Sequence, residues 1–176
     1  ARREASDAWQ QFYRYNWSIG TVLALLKTAQ AYRKVADYTP ARRYCKQALL
    51  IVEGLRDRDR EDIELIKQKA HADFTMGRIL WEIGNSAEAA THFRLAREIY
   101  LKYRDHPEQS FASEMREGLA RSVQYEGFMR FRIGDLEQAL AFLDWAEQEY
   151  REMENYRRVS KVLKRKAPIN RARDNK

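Results

Sequence analysis

The chain has 176 residues, 44% of them hydrophobic, and a formal net charge of +7. This size and apolar content fit one globular domain with a buried core, and seven glycines and three prolines exclude collagen-like and low-complexity classes. The sequence lacks the roughly 18 consecutive apolar residues of a membrane-spanning helix, and its first residues lack the apolar centre of a signal peptide. A single cysteine, Cys45, excludes an internal disulfide. These features predict an intracellular, cytoplasmic protein without a membrane partner.

Hydrophobic spacing predicts helices along most of the chain. Phe111, Met115 and Leu119, for example, recur every four residues, which is typical of the buried face of an amphipathic helix. Long helices are predicted near residues 7–35, 60–83 and 107–133, and shorter helices near 40–55, 86–104 and 136–153. The predicted fold class is therefore all-α.

The segment around Gly84 predicts a helix end followed at once by a helix start. Asn85 and Glu88 follow the glycine at the spacing of a capping box, in which each residue satisfies a free amide at the start of a new helix. A connection of so few residues brings two helices together in antiparallel orientation. The segment is thus predicted to form a helical hairpin.

The same arrangement of small and large residues occurs three times. One copy contains Gly77, Gly84, Ala89, Phe93 and Ala96. The same offsets hold Gly127, Gly134, Ala139, Leu143 and Ala146 in a later copy, and Ala29, Ala36, Ala41, Cys45 and Ala48 in an earlier one. Because small residues allow helices to approach closely, their recurrence predicts three structural repeats rather than catalytic positions.

The repeated pattern resembles the tetratricopeptide repeat. The turn positions are 48 and 50 residues apart, whereas the usual period of that family is about 34 residues. The additional residues are helix-compatible and lengthen the first helix of each pair, as in the long-helix repeats of kinesin light chains and of bacterial signalling proteins. The resemblance implies a helical-hairpin solenoid of three repeats with extended first helices over residues 1–154, followed by a basic helix and tail over 155–176.

In the tetratricopeptide family, the first helices line a concave face that binds peptides. Carried onto this chain, the resemblance implies a groove that includes Leu26, Gln30, Arg33, Lys34, Phe74, Arg78, Trp81, Gln124, Phe128, Phe131 and Arg132. Arginine pairs well with carboxylates, and aromatic rings supply rigid apolar contact area. The implied function is a noncatalytic scaffold or adaptor that binds a protein or an extended peptide with acidic and apolar side chains.

Residues suited to catalysis are scarce. The three histidines fall on different predicted segments, and no nucleotide-binding or nucleophile motif occurs. Cys45 takes the packing position that Phe93 and Leu143 hold in the other repeats, which predicts a buried, unreactive thiol. We therefore expect no enzyme activity, no metal and no cofactor.

The C-terminal segment carries the basic excess of the chain. Residues 155–176 contain nine Lys or Arg and one acid, Asp174. The predicted binding residues of this basic tail are Arg157, Arg158, Lys161, Lys164, Arg165 and Lys166. Tyr156, Val159 and Leu163 predict a short amphipathic helix that runs to about Lys166, where Pro168 ends it.

Two interpretations of this tail stay open at this stage. It is either a solubilising cap on the last hairpin or a contact for nucleic acid or an acidic partner. A third hypothesis makes the whole chain a regulatory segment of a larger signalling protein. No oligomeric state is predicted.

Overall fold

The described part of the chain is entirely helical in its regular structure. A computed structural model describes residues 2–56 and 62–174, with side chains described over 17–55 and 62–174. The helices are α1 (Arg2–Lys34), α2 (Tyr38–Arg56), α3 (Ile63–Glu82), α4 (Ser86–Tyr103), α5 (Gln109–Arg132), α6 (Leu136–Glu152) and α7 (Tyr156–Asp174). No strand occurs in these ranges, and none of their helices is long and apolar enough to cross a membrane.

The predicted all-α class is confirmed, and the bounds of the first six helices agree with the predictions to within a few residues. The predicted start of the third helix, near residue 60, lies outside the described residues. At the start of α4, the side chain of Asn85 accepts a hydrogen bond from the backbone amide of Glu88, at 3.4 Å. This is the cap that the sequence predicts at this position.

The helices form two compact units, one ending at Ile83 and the other beginning at Gly84. In the first unit, α1 packs against α2, α2 packs against α3, and α1 also contacts α3. The core is built from fully buried small and aliphatic residues on all three helices, including Val22, Leu26, Ala29, Ala41, Cys45, Ala48, Val52, Leu65, Ala70 and Ile79.

Four turn positions among the described residues adopt the left-handed backbone conformation. Three of them, Ala36, Gly84 and Gly134, are the turn positions of the predicted repeats, with φ of 59°, 85° and 84°, and the fourth is Glu154, with φ of 54°. After α1 and again after α5, the amide beyond this position bonds back across the turn: Asp37 donates to the Tyr32 carbonyl and Asp135 to the Arg130 carbonyl, both at 3.0 Å. This is the Schellman arrangement that ends a helix. Ala36 adopts it although its Cβ makes the conformation costly.

In the second unit, α4 packs on α5, α5 packs on α6, and α6 packs on α7. At Gly127 the backbone of α5 approaches α6 closely: a Cβ there would lie 2.8 Å from Cγ of Leu143 and 3.2 Å from the carbonyl oxygen of Ala139. Gly118 on α5 makes room in the same way for the ring of Tyr100 on α4, which a Cβ would meet at 2.3 Å. Small residues therefore set both distances from α5 to its neighbours.

A partly buried ion pair links the three helices α4, α5 and α6. Nε of Arg97 on α4 donates to Glu126 on α5 at 2.7 Å, and its guanidinium lies about 6 Å from the rings of Phe142 and Trp145 on α6. Burial raises the pKa of Glu126, against the opposing effect of Arg97. The arginine thus stabilises a carboxylate that its surroundings would otherwise tend to neutralise.

The predicted end of the last helix is wrong. Helix α7 continues through Pro168 to Asp174. A proline inside a helix loses one backbone hydrogen bond and clashes with the preceding turn. Here Ile169, directly after the proline, is buried to 1% exposure, so packing beyond the proline offsets that cost.

The predicted apolar stripe of this helix is also wrong in part. Val159 is buried, but Tyr156 is 65% exposed and Leu163 is 43% exposed. The buried stripe consists of Val159, Val162 and Ile169, which packs towards α6. The spacing of apolar residues alone allowed either stripe, and the helix contact selects this one.

We predict opposite effects for alanine at two helical glycines. Gly127→Ala should lower the free energy of unfolding by about 1–2 kcal/mol, because the new methyl group overpacks the contact with α6. Gly20→Ala on α1 is the control, since a Cβ there would meet nothing within 4 Å. It should raise the free energy of unfolding by about 0.5–1 kcal/mol through helix propensity. The measurement is chemical denaturation of both variants. Equal shifts would contradict the close approach at Gly127.

Candidate functional site

Predicted groove residues on α1 and α3 lie close together. The side-chain amide of Gln30 is 2.8 Å from Nε2 of His71, and Nη1 of Arg33 is 2.6 Å from Oε1 of Glu82. Arg78 approaches the same carboxylate at 3.7 Å. Two arginines predicted to bind an acidic ligand therefore share a carboxylate of the protein itself. The sequence did not single out Glu82, because only the packing of α1 on α3 brings it to Arg33.

Two residues on this list are not on an accessible surface. Leu26 is 1% exposed and Phe74 is 2% exposed, so both belong to the core of the first unit. Trp81 is half-buried and Lys34 is exposed. Placing Leu26 and Phe74 in a groove was wrong, because the periodicity of a helix does not say how wide its buried face is.

The predicted groove residues of α5 share one face of that helix. Gln124, Phe128, Phe131 and Arg132 follow one another at spacings of four, three and one residues, within a sector of about 100°. Gln124 accepts a hydrogen bond from the Tyr150 hydroxyl at 3.2 Å. Phe128 is half-buried with its ring edge-on to Tyr125, whereas Phe131 is 38% exposed. This α5 face, as we name these four residues, offers aromatic surface beside a cation.

Helix α7 lies next to the α5 face. The guanidinium of Arg165 lies 5.5 Å from the centre of the Phe128 ring, within cation–π range. Nη2 of Arg158 reaches Glu117 on α5 at 3.1 Å. The sequence assigned Phe128 to a groove and Arg165 to a separate tail, and the structure brings them together. No local signal in the sequence predicts this contact, because the two residues belong to different helices.

Helix α7 is held in place by buried apolar residues and by one lysine. Nζ of Lys166 forms ion pairs with Asp144 and with Glu147 on α6, the latter at 2.7 Å, and the lysine side chain is only 16% exposed. Burial acts to lower the pKa of Lys166, but the hydrogen bonds to the two carboxylates outweigh it and the pKa is raised. The hydrogen bond from Lys166 in turn lowers the pKa of Glu147. Lys166 is therefore a docking residue of α7.

The first unit contains a cleft at the start of α2. Its volume is about 400 Å³, and it is lined by Tyr38, Thr39, Arg42, Arg43, Lys46 and Ile83. Three of its six lining residues are basic and none is acidic. No signal in the sequence predicts this cleft, since its lining residues follow no recognised motif.

The groups that could support catalysis are few in the described residues. Cys45 is fully buried, as predicted, and its thiol donates to the carbonyl of Ala72 at 3.4 Å. Burial, with the nearby charge of Asp73, raises the pKa of Cys45 to about 12, so the thiol stays protonated at neutral pH. Over the described ranges, no three His, Cys, Asp or Glu side chains are placed to hold a metal ion.

No family model matches the chain, and no curated protein matches it.

We predict that Lys166 stabilises the docking of α7. Lys166→Met should speed amide hydrogen exchange across Tyr156–Asp174 and cost about 1–2 kcal/mol, because Asp144 loses its ion pair and Glu147 keeps only Arg151 as a partner within the described part of the chain. Lys164→Met is the matched control, since this neighbouring lysine is exposed and has no partner among the described residues. It should leave exchange unchanged. Similar exchange in both variants would show that the ion pairs do not hold the helix.

The same ion pairs predict a dependence on pH. The pKa of Glu147 is lowered from 4.5 in the folded protein, so its contribution to stability is full above 4.5 and is lost as the pH falls through the lowered value. The difference in thermal midpoint between the native protein and Lys166→Met should therefore be constant near neutral pH and shrink in acid. A difference that stays constant in acid would assign the effect to packing instead.

Proposed function

We propose that the chain is a noncatalytic module for protein or peptide binding, built as a tetratricopeptide-like solenoid of three helical hairpins with extended first helices. The proposed ligand is an extended peptide with acidic and apolar side chains. The observation that carries this proposal is the α5 face, where half-exposed aromatic rings lie beside arginine side chains from two helices.

The repeat assignment is supported by the equivalence of positions in the three copies. The second-helix positions Ala41, Cys45, Ala48, Ala89, Phe93, Ala96, Ala139, Leu143 and Ala146 are all at 0% exposure. The three turn positions all have positive φ, including Ala36, where no glycine is present. Residues related by the 48- and 50-residue offsets thus have the same burial or the same backbone conformation. This agreement is what structural repeats would produce, and it is the support for the repeat assignment.

The chemistry of the α5 face favours an acidic and apolar ligand. Arg132 is exposed at one edge, Arg165 approaches from α7, and Glu117 on the same helix is paired with Arg158. A carboxylate bound here would gain charge-assisted hydrogen bonds, and an apolar side chain would cover the Phe128 and Phe131 rings. The α1 and α3 face is less suited to this ligand, because Glu82 already neutralises part of its charge.

The test is the selection of ligands from a random peptide library on the intact chain. We expect the selected peptides to be rich in Asp, Glu and apolar residues. Phe128→Ala should weaken their binding by about 1–2 kcal/mol through lost apolar contact, and Arg132→Glu should weaken it further through repulsion. Circular dichroism and the thermal midpoint serve as folding controls, because Arg132 is exposed but Phe128 is half-buried.

Matched control variants exist on the opposite side of α5, at its C-terminal end. Ile133→Ala removes the side chain of the C-cap residue, which is 68% exposed, and Arg130→Gln removes an exposed charge that lies 3.6 Å from Asp135. Both residues line a cleft of about 310 Å³ between α4 and α5, away from the α5 face. These variants should bind the selected peptides normally. Loss of binding in the controls alone would move the site to that cleft, and a failure to select any peptide would refute peptide binding.

A further inference from the structure

Seven of the eight cations of α7 divide into two sets, and the eighth, Arg173, pairs with its neighbour Asp174. One set is engaged with the rest of the second unit: Arg158 pairs with Glu117, Arg165 lies over Phe128, and Lys166 pairs with Asp144 and Glu147. The other set consists of Arg157, Lys161, Lys164 and Arg171, all exposed. None of these four has a hydrogen bond, ion pair or ring contact within the described residues. We call these four residues the outer stripe.

The outer stripe occupies one narrow face of the helix. Its members are separated by four, three and seven residues, which places them within a sector of about 80° and along about 21 Å of the helix axis. The buried residues Val159, Val162 and Ile169 lie on the opposite face. The continuation of α7 beyond Pro168 adds Arg171 to the stripe, so the stripe is longer than a helix ending at Lys166 would allow.

Nothing on α7 offsets this charge. The acid within the helix, Asp174, lies at its last turn and pairs with its neighbour Arg173 at 3.1 Å. Four aligned cations at this spacing create a positive potential that attracts counterions, and a polyanion that displaces those counterions gains binding free energy.

We propose that the outer stripe binds the phosphate backbone of nucleic acid without reading its sequence. The contacts would come from lysine and arginine side chains on one helix, which is the common means of phosphate binding. Lysine is depleted in interfaces between proteins, and the centre of the stripe holds Pro168 but no large apolar residue to form an interface core. The stripe therefore fits phosphodiesters better than an acidic protein.

The helix is also poorly suited to an anionic membrane. A helix that lies on a membrane inserts its apolar face between the lipids. In α7 that face is covered within the second unit, and only Tyr156 and Leu163, at the flank of the stripe, remain exposed as large hydrophobic residues. Tyr156 is 65% exposed and is the single aromatic residue of α7, so stacking on bases contributes little to the binding.

This inference is independent of the peptide-binding proposal. The stripe faces away from the buried side of α7 and shares no residue with the α5 face. A chain that binds the selected peptides but not the duplex would refute only the phosphate-binding proposal. A chain that binds the duplex but no peptide would refute only the peptide-binding proposal.

The experiment is a titration of a short, fluorescently labelled DNA duplex of mixed sequence with the intact chain between about 50 and 200 mM salt. If all four cations contact phosphates, log K should fall against log salt with a slope of about −3.6. The fourfold variant R157Q/K161Q/K164Q/R171Q should lose at least about tenfold in affinity at the lower salt concentration and most of this slope. Because all four side chains are exposed, its thermal midpoint should match that of the native protein.

The matched control removes four positive charges from other exposed positions, as K27Q/R43Q/K46Q/K102Q, and it also tests the basic cleft of the first unit, because Arg43 and Lys46 line that cleft. It has the same net charge as the stripe variant and should bind the duplex within about threefold of the native affinity, because screening limits distant charges to a small effect. Three results would overturn the proposal: no binding of the duplex by the native chain at low salt, equal losses in the two fourfold variants, or tighter binding to phosphatidylserine vesicles than to the duplex. A duplex of different sequence should bind equally well, and a strong preference between the two would contradict backbone recognition.

Discussion

The helices of the second unit depend on how closely α5 can approach its neighbours. At Gly127 a single methyl group would lie 2.8 Å from Leu143, and at Gly118 it would lie inside contact distance of the Tyr100 ring. With one side of α5 fixed against α6 and another against α4, a third side is left for Gln124, Phe128 and Arg132. The candidate binding face is thus what remains of α5 after its small residues have set the packing.

The sequence was a good guide wherever the determinants are local. Helix ends follow from glycine, from capping side chains such as Asn85, and from apolar periodicity, and these signals act within one or two turns. The predictions failed where two signals competed. At Pro168 the local rule ends the helix, but the burial of Ile169 against the rest of the unit continues it. Tertiary packing decided the outcome because it offsets the loss of one backbone hydrogen bond.

The candidate site was less predictable for the same reason. Phe74 and Phe128 were both assigned to the groove, since both lie near a small residue on a first helix. One is in the core and the other is half-buried beneath Arg165. Likewise, composition counts every cation of α7 alike, whereas the fold uses Lys166 to dock the helix and leaves Lys164 in solvent. Only the rotation of α7 about its axis separates these roles, and two valines and an isoleucine fix that rotation.

Helix α7 therefore contributes to two surfaces at once, so deleting it cannot separate their effects. Its inner side supplies Arg165 to the α5 face and covers apolar surface through Val162, while its outer side presents the stripe. Deleting the helix would remove the outer stripe, alter the α5 face and expose core residues together, so a truncated chain could lose either proposed activity for any of these reasons. Substitutions on the outer stripe change charge without changing packing. They are the variants that assign an effect to one surface, because substitutions at sites that share no partner act independently.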